Sequence, residues 1–141
     1  MVYLDTSVLV AYYCPEPTSH KIEALLKTKA APAITELTEL EMYSALSRKI
    51  REGGLEREDA VRILAQFQAH LDGGWYTKLP LETRHYRLAK DWMRQFHVPL
   101  RSLDALHLAV AASAQVSLIT ADVGMAKAAE ALSVATVLVK G

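Results

Sequence analysis

Short apolar runs alternate with helical segments along the whole chain, and that alternation restricts the fold more than any other feature. Val2–Leu4 is apolar and partly β-branched, as a buried strand is. Thr6 or Ser7 then offers an N-cap for a short helix through Tyr13, which "CPEPTS" breaks. The pattern predicts a second helix from about Ser19 to Lys29 and a short buried strand at "APAIT". Thr35 or Thr38 can cap the next helix, where Leu40, Tyr43, Leu46, Ser47 and Ile50 recur at helical spacing; Gly53-Gly54 ends it. Glu56 to about Leu71 is a further amphipathic helix with Ala60, Ile63, Leu64, Phe67 and Leu71 on one face, ended by Gly73-Gly74. "WYTKLPL" is strand-like and belongs at or near a sheet edge, because Pro80 interrupts it. Thr83 to Phe96 is helical, Val98-Pro99-Leu100 is a turn, and Ser102 caps an Ala- and Leu-rich helix to about Ala114. "VSLIT" is a strand, Asp122 begins a helix through Leu132, and "ATVLV" is the last strand.

Such a chain folds as an α/β protein with a mostly parallel sheet covered on both faces. Its 141 residues suit one domain, 1–141, with a sizeable core. Lys and Arg number 16 and Asp and Glu number 16, so no global field draws the protein to nucleic acid or membrane; binding RNA needs a local basic patch. The single cysteine, Cys14, excludes an internal disulfide and a cysteine-based zinc site. No secretory signal precedes the first strand and no apolar stretch reaches transmembrane length, so the expected location is the cytoplasm. The dinucleotide fingerprint and the P-loop pattern are both missing.

Four acids stand out. Ligands of an open parallel sheet bind beyond the carboxyl ends of its strands. Asp5 directly follows Val2–Leu4, and Asp122 follows Ser117–Thr120 with only Ala121 between. Asp104 lies in the first turn of a helix whose remaining face is nearly all apolar. Glu41 is set among Leu37, Leu40, Tyr43, Ala45 and Leu46, on the side expected to face the core, whereas Glu39 points to solvent. Taken singly, each has a plain structural explanation: caps for Asp5 and Asp122, a helix-dipole partner for Asp104, an ion pair for Glu41. Brought together they would repel and raise one another's pKa, and a divalent cation removes that conflict. An all-carboxylate site suits Mg²⁺ or Mn²⁺, which binds phosphate oxygens and activates water. Hydrolysis of a phosphodiester follows naturally.

The segments "VYLDTSVLVAYY", "ITELTELEMYSALSRKIREGGLE" and "LRSLDALHLAVAASAQVSLITADVGMAKAAEAL" resemble, in order, the PIN-domain family, and more narrowly its VapC-type toxins. The resemblance covers nearly the whole chain. It implies a three-layer α/β/α sandwich with a short parallel sheet, metal-dependent endoribonuclease activity, a homodimer and a small antitoxin partner. The family's metal-binding acids fall on Asp5, Glu41, Asp104 and Asp122, with Ser7 supporting the first and Thr120 preceding the last. The expected division is Asp5, Asp104 and Asp122 on the metal, with Glu41 completing the shell or orienting water. In-line attack would leave a 5′-phosphate and a 3′-hydroxyl. The sequence departs from many relatives in lacking a basic residue just after Asp122; Lys127 comes later.

RNA also has to be held. Arg84, Arg87, Lys90 and Arg94 recur at helical spacing, with Arg84 and Arg87 the candidate RNA contacts; Arg48, Lys49 and Arg51 form a second cluster. Trp75, Tyr76 and Trp92 are expected to be core or contact residues, and His107, one turn from Asp104, a structural hydrogen-bonding group. Two other phosphoryl-transfer folds fit less well. A haloacid-dehalogenase-type phosphatase needs an acid where Ser7 stands, and a receiver domain needs an acidic pair at the first strand. The remaining alternative is an inactive PIN-like module that binds metal, RNA or a partner without turnover.

Overall fold

A computed structural model describes residues 1–28 and 31–141. Its five strands are β1 (Val2–Leu4), β2 (Pro32–Ile34), β3 (Thr77–Lys78), β4 (Ser117–Thr120) and β5 (Thr136–Leu138). The helices are α1 (Thr6–Tyr13), α2 (Ser19–Thr28), α3 (Glu36–Arg51), α4 (Arg57–Asp72), α5 (Thr83–Met93), α6 (Ser102–Ala114) and α7 (Val123–Ala131). The strand order is β3-β2-β1-β4-β5 and every pairing is parallel. The two-residue β3 sits on the edge, as Pro80 requires.

Period-two alternation along the strands separates two cores. Val2, Leu4, Ile34 and Ile119 pack with α1, α3 and α4 through Leu9, Met42, Leu46 and Phe67. On the opposite face Tyr3, Ala33 and Leu118 meet α6 and α7 through Leu108, Val110, Met125 and Ala129. Helices on both faces of one parallel sheet make the three-layer α/β/α arrangement expected. The chain runs from β1 outward to β2 and β3, then returns to β4 on β1's other side. The order therefore reverses between β1 and β4, and a crevice opens there at the carboxyl ends.

Several local expectations change. The helix expected to reach Lys29 is described to Thr28, and Lys29 lies outside the described residues. Ser102 is the first residue of α6, not its cap; Arg101 occupies the cap position without a side-chain bond. The helix expected to run to Phe96 stops at Met93, and Phe96 adopts a left-handed φ of 55°. The larger correction is the face of α3. Thr38, Met42, Ala45 and Leu46 are buried, whereas Leu40 (68% exposed) and Tyr43 (51%) face outward. Thr38 turns inward because its hydroxyl meets that of Tyr3 beneath the sheet, a contact no helical periodicity reveals. Glu39 is not solvated as expected; its side chain is 16% exposed and pairs with Lys78 at 2.7 Å. Of the aromatic residues, Tyr76 is buried while Trp75 is half exposed and stacks on His70.

Candidate active site

Asp5 ends β1 and begins α1. Its Oδ1 accepts the Val8 backbone N–H (3.2 Å) and the Ser7 hydroxyl (2.6 Å); its Oδ2 accepts the Thr120 hydroxyl from the end of β4. Only 3% of Asp5 is exposed. Burial pushes its carboxyl above the ordinary value, and these donors, with the imidazole of His107 nearby, offset that only in part. Asp5 is thus both a helix cap and a wall of the crevice. The Ser7 hydroxyl oxygen in turn accepts the Ala121 N–H and that of Thr120 accepts the Asp122 N–H, each at 3.0 Å. These bonds tie the two strand ends across the switch point. Asp122 caps α7 through Oδ1, which accepts the Met125 N–H.

Glu41, on α3, reaches the same crevice. Its Oε1 accepts the Thr6 hydroxyl at 2.7 Å and faces the His107 Nε2 at 2.5 Å. Burial raises its pKa, but the His107 and Thr6 bonds outweigh it and the carboxyl stays below its usual range. The sign follows from linkage. A depressed folded pKa gives stability that is present above the unfolded value and lost as pH falls through the folded one. We therefore expect Glu41→Gln to lower the melting temperature at pH 7 in EDTA, and the two proteins to converge below the ordinary carboxylate range. A gap that persisted into acid would assign the loss to packing.

Asp104 stands in the first turn of α6, as its sequence position predicts. Arg101, one turn earlier, donates from Nε to its Oδ2 (3.2 Å) and places a terminal nitrogen 4.0 Å from Asp122 Oδ2. That guanidinium is 80% exposed, so the pairing is screened and weak. Arg101 escaped the sequence reading, although its place three residues before Asp104 was a usable signal.

Asp5, Glu41, Asp104 and Asp122 line one cleft of about 1260 Å³, together with Ser7, His107, Arg48, Lys49 and Arg101. Thr120 stands just behind, bonded to Asp5. Arg84 and Arg87 are exposed on α5 and do not line it. Among the described residues, no three His, Cys, Asp or Glu side chains are gathered as tightly as a preformed metal centre requires. The donor set itself is carboxylate and hydroxyl oxygen, which fits a hard divalent cation and not a thiol-seeking one. His107, with both ring nitrogens engaged, is not a free ligand.

An all-parallel three-layer α/β domain with an acid-lined crevice at its switch point is the class these observations define. The PIN domain profile matches residues 2–131, and the chain belongs to the PIN-domain family. Solved structures with the same fold include members of toxin–antitoxin systems. FitAcB from Neisseria gonorrhoeae is 18% identical with a TM-score of 0.72, over 96% of each chain. VapC20 of Mycobacterium tuberculosis, described as a sarcin–ricin loop cleaving toxin, is 16% identical with a TM-score of 0.66, covering 84% of this chain and 87% of that one. VapBC-5 from the same organism is 23% identical with a TM-score of 0.65, over 97% of each chain. A comparison with curated proteins finds no match. Among the described residues no helix is long and apolar enough to cross a membrane.

Proposed function

We propose that this protein is a metal-dependent endoribonuclease and the toxin of a toxin–antitoxin pair. One observation carries the reading: acids from four separate elements line a single cleft at the switch point of a PIN fold. Asp5, Asp104 and Asp122 would hold Mg²⁺ or Mn²⁺, and Glu41 would orient the attacking water. Bound there, the cation would supply a water of lowered pKa and screen charge on the phosphoryl oxygens. Ser7 and Thr120 fix Asp5, so its carboxylate does not reorient when substrate arrives. Arg101, paired weakly with Asp104 and within 4.0 Å of Asp122, lies within reach of a phosphate entering the cleft. The partners on this reading are RNA, a small antitoxin and a second copy of the chain in the cytoplasm. The exposed Leu40 and Tyr43 of α3 and Val61 of α4 are apolar surface for a protein partner to cover.

The test is cleavage of total and structured RNAs by purified protein with Mg²⁺ or Mn²⁺, with and without EDTA. Cleavage leaving 5′-phosphates, lost in EDTA and restored by excess metal, is expected. Intact RNA under every metal condition would leave the inactive binding module as the better reading; EDTA-resistant cleavage would remove the metal.

A further inference from the structure

A hydrogen-bonded chain runs from Glu41 in the cleft into the core, and its inner members have no part in the roles above. Glu41 Oε1 meets His107 Nε2 at 2.5 Å; His107 Nδ1 meets the Tyr3 hydroxyl at 2.6 Å; Tyr3 meets Thr35 Oγ1 at 3.0 Å and Thr38 Oγ1 at 3.3 Å. His107 and Tyr3 are essentially inaccessible, at 2% and 0% exposure. We infer that His107, anchored by Tyr3, is a positioning residue that holds Glu41 by one oxygen and leaves the other for the reacting water. The inference rests on the nuclease reading, which gives Glu41 that water.

Three features carry it. First, both donors to Glu41, Thr6 and His107, reach Oε1, and among the described residues Oε2 accepts no hydrogen bond. A carboxylate gripped on one oxygen keeps the other oriented without neutralising it. Second, one donor order satisfies every bond of the chain: an ionised Glu41 can only accept, so Nε2–H donates to it, which leaves Nδ1 to accept from Tyr3 and the Tyr3 oxygen to accept from a threonine hydroxyl. Burial, partly opposed by the Thr35 and Thr38 bonds, raises the Tyr3 hydroxyl to about 12, so Tyr3 keeps its proton to donate. Third, the far end is rigid. Thr35 and Thr38 form the capping box that starts α3, the helix that carries Glu41. The cap and the carboxylate are thus held at opposite ends of one hydrogen-bonded Tyr3–His107 pair. Outer-shell partners of this type set ligand orientation in metal sites.

Paired side-chain amides separate this role from packing. The amide N–H₂ of a glutamine can stand in for Nε2–H; that of the shorter asparagine stays near Nδ1 and falls short of Glu41. His107→Gln is expected to retain most of kcat, and His107→Asn to lose about tenfold to a hundredfold in kcat with KM little changed, the range for outer-shell partners. Tyr3→Phe, a milder change, should show an intermediate loss. Nitrogen-15 NMR of the imidazole above pH 8 is the second readout: one fixed tautomer protonated at Nε2 in the parent, a mixture in Tyr3→Phe. Equal losses in the Gln and Asn variants, or a proton on Nδ1, would overturn the inference. Should the parent cleave no RNA, the nuclease reading fails, and the NMR result still decides how His107 is held.

Discussion

Asp5→Asn should destroy RNA cleavage while making the metal-free protein more stable. The two effects share one cause. Asp5 is buried where β1 and β4 end, and there an ionised carboxyl loses hydration that three hydrogen-bond donors do not fully replace. Its folded pKa lies above the unfolded one. A raised pKa contributes stability that is complete at low pH and is lost as pH rises from the unfolded value through the folded one. Above the ordinary carboxylate range the Asp5 carboxyl is therefore a burden on the metal-free fold. Asparagine keeps the shape and the N-cap acceptor for Val8, for Asn caps as well as Asp does. The melting temperature in EDTA should accordingly rise. Cleavage should fall by about a hundredfold or more, since even outer-shell changes in metal sites cost about 10- to 100-fold. Undiminished cleavage by Asp5→Asn would show that Asp5 is only a cap. A melting temperature that drops in EDTA would show that its charge stabilises the fold.

How much of this could be read from the sequence differs from element to element. β1, β4 and β5 announce themselves as short apolar runs, and helix separates every pair of consecutive strands. Parallel pairing and two covered faces follow from that alternation alone. The strand-end positions of Asp5 and Asp122 are equally legible, because each acid lies within two residues of a run whose direction the fold class fixes. The inward face of α3 is not. Leu40, Tyr43 and Ile50 share a helical stripe with the hydrophobicity of a core, yet the buried side carries Thr38 and Met42. Thr38 is tolerated there because Tyr3, 35 residues earlier, bonds its hydroxyl. That compensation is long-range and leaves no local trace. The link from Tyr3 to His107 is the same kind of fact, spanning 104 residues. Arg101 illustrates a third case. Its spacing to Asp104 was visible, but its reach toward Asp122 depends on α6 and α7 meeting at the crevice.

The path of RNA is where the structure shifts the weight of expectation most, and Arg48→Ala with Lys49→Ala is the substitution that tests it. Phosphate contacts dominate nucleic-acid affinity, so on the proposed function the cations that matter are those beside the four cleft acids. Arg48 and Lys49 end α3 on the wall of the acidic cleft. Among the described residues Arg48 makes no ion pair, and Lys49 pairs with Glu16 at 2.9 Å on the same wall. That bond raises the Lys49 pKa, so its charge is present at any working pH. Arg84, by contrast, is bound to Glu82 on exposed α5, and neither it nor Arg87 lines the cleft. In an Asp5→Asn background, which prevents turnover, the Arg48/Lys49 pair should weaken RNA binding by roughly tenfold. Each lost phosphate contact should also flatten the slope of log affinity against log salt by about 0.7, the value for a single strand. Arg84→Ala with Arg87→Ala should leave both quantities nearly unchanged. The reverse pattern would route the RNA over α5 and leave Arg48 and Lys49 as part of a solvated helix end. In that case the strand would enter the cleft past Arg101, which among the described residues is the arginine or lysine that meets Asp104 and Asp122.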